Sequence, residues 1–165
     1  MSKQKQTRPD PPKIKPTFYI GIDPGVNTGF AVYNRAAKKL TVVETKTILT
    51  AFDFIDNVIF IHGKESICIV FEDARKRYIS KELKANKGRL QGAGSIKRDS
   101  QIWQEFCELK GVFYINPAPN GKLNSLVKCK PATKAVKNFE NITAWKTQTS
   151  EHARIAGVLA YTYGK

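Results

Sequence analysis

The chain is poor in several things that would otherwise define it. Its three cysteines, Cys68, Cys107 and Cys129, are widely separated and form no C-x-x-C pair. The usual zinc and redox spacings are therefore excluded, and an odd count argues against a disulfide framework, so a reducing, cytoplasmic setting is expected. No apolar run approaches the roughly 18 residues of a membrane span. The first residues carry charge and proline but no apolar core of a secretory signal, so neither secretion nor a membrane partner is expected. Acids are also scarce, with 14 Asp and Glu against 28 Lys and Arg, a formal charge of +14 on 165 residues. That excess suits a polyanionic partner better than a small-molecule substrate.

What is present suffices for one core. The composition is 41% hydrophobic, and the length suits a single domain. Residues 1–16 hold four lysines, one arginine and four prolines, and read as a flexible basic arm ahead of a single domain at 17–165. Three strand-like runs follow, Phe18 to Asp23, Thr28 to Asn34 and Lys39 to Thr45, joined by short turns that imply an antiparallel meander. Apolar residues between Leu49 and His62 recur at helical spacing, with Gly63 as a stop. Ile67 to Phe71 is continuously apolar, as in a central strand covered on both faces. A helix is expected over 95–110, preceded by a basic loop with a turn at Gly92-Ala93-Gly94, and a further strand over 112–116. Residues 117–138, rich in Pro, Asn and Lys, read as a loop that orders only on DNA. A short helix over 139–145 and a last helix from Glu151 to about Tyr163, capped by Thr149-Ser150, complete the chain. The order β-β-β-α-β-α-β-α is that of an α/β, RNase H-like fold with a central mixed five-stranded sheet flanked by helices.

Two strands end in acids. Asp23 closes the first, within Gly21-Ile22-Asp23-Pro24-Gly25, and Glu72 follows the apolar Ile67–Phe71 run. Charge at the end of a buried strand is costly unless something such as a metal ion compensates it. Carboxylates from separate elements, converging on two metal ions about 3.5–4 Å apart, are what two-metal phosphodiester hydrolysis needs, and hard oxygen ligands select Mg2+ or Mn2+. Glu151 and His152, in the first turn of the last helix, are candidates for a further ligand. Taken singly, each motif has a plainer reading: Asp-Pro-Gly as a turn, Glu72 as a solvated strand end, His152 as a surface histidine. The pair of acid-tipped strands, the charge and the element order together favour the metal reading for Asp23 and Glu72. For His152 both readings stay open. Lys76, Arg77, Lys81, Lys97 and Arg98 are the candidate phosphate contacts, each with an ordinary solvated side chain as its alternative. Trp103 and Phe106 read as core, Trp145 as core or a base-stacking surface.

Four segments in order, Gly21-Ile22-Asp23-Pro24-Gly25, Phe71-Glu72-Asp73-Ala74-Arg75, Leu90 to Asp99, and Thr149-Ser150-Glu151-His152-Ala153-Arg154, resemble the motifs of RuvC-like Holliday-junction resolvases, particularly phage and prophage types. The resemblance spans roughly residues 18–163. It implies an RNase H-like homodimer that resolves four-way DNA junctions by Mg2+-dependent (or Mn2+-dependent) paired nicking in recombination and repair, in the cytoplasm of a bacterial or phage-infected cell. It also implies Asp23 and Glu72 as metal ligands, His152 as the last-helix residue, and an aspartate at position 155. The chain has Ile155 there. Three explanations stand: Glu151, one turn earlier, compensates; Ile155 inactivates the site and leaves a junction-binding protein; or His152 with two acids holds one metal well and a second weakly. The leading expectation is a junction-resolving nuclease, against a catalytically inert binder of branched nucleic acid or an RNase H-type nuclease of RNA–DNA hybrids.

Overall fold

Alternation along β1 (Phe18–Asp23) sends Tyr19 to one face of a sheet and Ile20 and Ile22 to the other. The computed structural model describes residues 8–76 and 87–165, and in the second segment the side chains from residue 94 onward. β2 (Thr28–Asn34) and β3 (Lys39–Lys46) form the expected antiparallel meander with β1. β4 (Ile67–Phe71) pairs parallel with β1, and β5 (Tyr114–Ile115) parallel with β4. The sheet order is β3-β2-β1-β4-β5, the mixed five-stranded arrangement that the sequence predicts.

Five α-helices are described: α1 (Ile48–His62), α2 (Lys87–Lys110), α3 (Gly121–Val127), α4 (Ala132–Thr143) and α5 (Glu151–Gly164). Ile20, Ile22, Phe30, Ile69 and Phe71 pack one sheet face against Ile55 of α1 and Trp103 and Phe106 of α2. The opposite face, with Tyr19, Ala31, Cys68 and Val70, meets Val127 of α3, Phe139 of α4 and residues 153–160 of α5. None of the described helices is long and apolar enough to cross a membrane.

Two expectations need correction. The stretch 117–138 contains α3 and most of α4 rather than a loop. Its prolines and lysines hide two apolar repeats, Leu123/Val127 and Ala135/Phe139, each at i, i+4 spacing, and the Asn120 side chain caps α3 by accepting from Leu123 N–H. The turn expected at Gly92-Ala93-Gly94 is inside α2, which starts at Lys87 instead of near 95. Glycine disfavours helix by only about 1 kcal/mol, and the 24-residue helix absorbs it. A Cβ at Gly94 would meet nothing within 4 Å, so no close approach demands that glycine.

Of the residues expected to form an arm, 1–7 lie outside the described ones. Arg8 donates from Nη2 to the Tyr114 carbonyl at 2.7 Å, and its guanidinium lies 4.9 Å from the Tyr114 ring centroid. Pro16 is buried.

Candidate active site

Strand periodicity places both acids on one face. Asp23 follows Tyr19 and Gly21 at two-residue steps, and Glu72 follows Cys68 and Val70, so both lie on the side covered by α5. The parallel register pairs Ile22 with Phe71, so the acids stand one residue further on, at the same end of adjacent strands. α5 reaches this end because two glycines let it touch the sheet. A Cβ at Gly21 would sit 2.0 Å from the Ala156 carbonyl oxygen, and one at Gly29, the cross-strand partner of Asp23, 2.0 Å from the His152 carbonyl oxygen. Ser150 caps the helix, accepting from Ala153 N–H at 3.1 Å, as the sequence predicts. The result is a 2.8 Å hydrogen bond between His152 Nδ1 and Asp23 Oδ2.

The three candidates differ in exposure. The Asp23 side chain is 16% exposed and that of His152 48%, while Glu72 is 7% exposed. Burial pushes the Asp23 carboxyl above its ordinary value. The His152 hydrogen bond and charge oppose this, Glu72 reinforces it and Lys128 opposes it, with burial prevailing. Glu72 is held differently: Asn124 Nδ2 donates to its Oε1 at 3.0 Å and Oε2 at 2.9 Å, and Asn120 N–H donates to Oε1 at 3.1 Å. The Ser100 hydroxyl accepts from Ala74 N–H at 3.2 Å, and its one proton has two acceptors in reach, the Ile96 carbonyl at 3.1 Å and the Glu72 carbonyl at 3.3 Å.

Next to it, Asp73 is almost fully buried and receives Arg75 through Nε and Nη2, both at 2.8 Å, and Asn116 Nδ2 at 3.0 Å. Burial alone would raise its carboxyl. The Arg75 hydrogen bonds and the charges of Arg75 and Lys76 outweigh that and hold it below the usual carboxylate range. Arg75 is thereby committed to structure, and Lys76 is exposed but donates to the Asn116 carbonyl. Lys97 is half-buried and Arg98 exposed on α2. Arg77 and Lys81, the other expected phosphate contacts, lie outside the described residues.

Glu151 does not join the acids. Its side chain is half exposed, with Lys128 Nζ 3.9 Å from its Oε1. Ile155 is 3% exposed and belongs to the apolar cluster under α5. Trp103 is core, and the Trp145 ring packs against the α5-side cluster, which favours the core reading of Trp145 over a stacking surface. Three neighbours of the acids were not legible as functional from the sequence: Asn120, Asn124 and Lys128. All three fall in the segment that reads as a loop, and only the fold brings them beside Asp23 and Glu72.

The donor chemistry fits one hard cation. Mg2+ is commonly held by one or two carboxylates with water completing its shell, and Asp23 and Glu72 supply such a pair. Among the described residues nothing supplies the ligands of a second. Among the described residues no three His, Cys, Asp or Glu side chains group to hold a metal, and the α5 position implied for a further acid carries Ile155.

No family model matches the chain, and no curated protein matches it in sequence. Among solved structures it is similar to T. thermophilus RuvC in complex with a Holliday junction substrate. The superposition has a TM-score of 0.54 at 13% identity and covers 88% of this chain and 91% of that one. The fold is therefore RuvC-like, within the RNase H-like α/β class.

Proposed function

We propose that the chain is a structure-selective DNA endonuclease that nicks four-way junctions, working as a homodimer with one Mg2+ or Mn2+ at Asp23 and Glu72. The observation that carries this reading is the convergence of Asp23 and Glu72 at one end of adjacent parallel strands, with His152 bonded to Asp23 at 2.8 Å. The fold shared with a junction-bound RuvC and the charge of +14 support it. The three free thiols suit the cytoplasm of a bacterial or phage-infected cell.

A cation bound there would polarise a phosphoryl oxygen and acidify water. The protein's own part is orientation and proton handling. Asp23 fixes the His152 ring, and in the Nδ1–H tautomer the exposed Nε2 is left as an acceptor for a proton from water. Lys128, whose Nζ lies 3.9 Å from Glu151 and whose charge acts on Asp23, is a further candidate for a phosphate contact. Exposed Arg98 and Lys76 extend the basic surface.

One observation favours a second reading, a branched-DNA-binding protein without cleavage: Ile155 deprives α5 of an acid. Nicking of a synthetic four-way junction in Mg2+ and in Mn2+, beside an RNA–DNA hybrid, tests both. The Asp23→Asn variant is expected to lose metal-dependent nicking and keep junction binding. Unchanged nicking by that variant refutes the metal site at Asp23, no nicking by the unaltered chain refutes the nuclease reading, and robust nicking by the unaltered chain refutes the binding-only one. Preference for the hybrid would instead indicate an RNase H-type activity.

A further inference from the structure

We infer that Asn124 is the positioning residue of the site: it holds the Glu72 carboxylate at both oxygens, while the Asn120 N–H, by taking a second site on Oε1, leaves Oε2 as the oxygen offered to a cation. This rests on the proposal that Asp23 and Glu72 receive the metal.

The hydrogen-bond inventory carries the inference. A carboxylate has about four lone-pair sites, two on each oxygen. Glu72 Oε1 accepts from both Asn120 N–H and Asn124 Nδ2, whereas Oε2 accepts from Asn124 Nδ2 alone. Among the described residues Oε2 therefore keeps the spare site. Asn124 Nδ2 reaches both oxygens from one nitrogen and so fixes where the carboxylate sits, and the off-axis Asn120 N–H on Oε1 then sets its plane.

Asn124 is itself well fixed. It is 8% exposed, on a seven-residue helix that depends on its neighbours for support. Arg154 of α5 provides some of that support. Its Nε donates to the Val127 carbonyl at the C-terminal end of α3 at 2.7 Å, and its Nη1 donates to the Thr149 carbonyl at 2.7 Å. The guanidinium thus ties the helix holding Glu72 to the helix carrying His152. Partners of this kind, one step removed from the ligand, commonly change metal affinity about 10–100-fold when removed.

The test measures Mn2+ binding directly by electron paramagnetic resonance, with junction nicking titrated in Mn2+ and junction binding measured in EDTA. Asn124→Leu keeps the branched shape, with a larger volume, and removes the donor. It is expected to raise the Mn2+ dissociation constant about 10–100-fold. Half-saturating Mn2+ for nicking should rise more than the saturated rate falls, and junction binding in EDTA should hold. Asn124→Ser, which retains a short hydroxyl donor, should show a smaller shift in the same direction. If Asn124→Leu fails to fold, the serine variant decides alone. Wild-type Mn2+ affinity in the folded variant overturns the role of Asn124 and leaves the nuclease reading standing. No Mn2+ binding by the unaltered chain overturns both.

Discussion

Replacing Ile155 with aspartate tests the architecture and the chemistry together. Ile155 is 3% exposed within the cluster that includes Val127, Phe139 and Val158. Removing its side chain from that environment sacrifices about 1.5–3 kcal/mol of apolar burial. A carboxylate without a partner adds a desolvation cost that protonation limits to a further ~2–3 kcal/mol. The sum, about 4–6 kcal/mol, corresponds in a domain of this size to a melting temperature lower by roughly 10–20 °C in EDTA at neutral pH. Burial would raise the pKa of the introduced group in the folded state, so the deficit should grow as pH rises through the carboxylate range and shrink in acid. Position 155 lies three residues after His152, on the same side of α5. Mn2+ should consequently restore part of the loss, about 2.7 kcal/mol at a hundredfold excess over its dissociation constant. Thermal melts with and without Mn2+, beside junction nicking by both proteins, provide the assay. A variant that melts in EDTA at the wild-type temperature would show that Ile155 is not a core residue, and the reasoning would fail.

The approach of α5 to the sheet gives a second test. In Gly29→Ala the new Cβ would stand 2.0 Å from the His152 carbonyl oxygen, against an ordinary contact of at least 3.4 Å, and both partners are backbone. A loss of about 3 kcal/mol and of the His152–Asp23 hydrogen bond is expected, read by melting and by histidine NMR; an unchanged melt would contradict the close packing. Asp73 gives a pH test. Its folded-state carboxyl is held below the ordinary value, so its stabilisation is present above the unfolded-state pKa and is lost as pH falls through the folded one. Asp73→Asn should cost about 2 kcal/mol at pH 7, with the difference from wild type closing in strong acid; a constant difference across pH would exclude the Arg75 pairing as its source.

Legibility varied along the chain with the range of the forces involved. β1 was readable to the residue because Phe18–Asp23 alternates between two buried faces and ends at a Pro-Gly turn. α1 and α5 were readable because caps and apolar periods are local: the apolar period and the Gly63 stop for α1, the Ser150 cap for α5. α3 and α4 were not, since each contributes only a few buried residues and the surrounding Pro, Asn and Lys outweigh them in any local reading. Asp23 and Glu72 stood out as charge where apolar strands end. Asn124 did not, because an asparagine among lysines carries no local sign of a partner 52 residues away.

The sequence alone determined the α/β order, the two acids at the ends of apolar strands and the excess of basic charge, all consequences of residue type and two- or 3.6-residue periods, while the acid expected at 155 was implied only by the family resemblance. Tertiary structure decided which neighbours those acids acquired. The parallel pairing of β1 with β4 set them side by side, Gly21 and Gly29 let α5 bring His152 to Asp23, and α3 carried Asn124 to Glu72. It also left Glu151 facing Lys128 and Ile155 inside the core. The division has a physical basis: periodicity acts over a few bonds of chain, whereas a carboxylate's partners are chosen across space by packing.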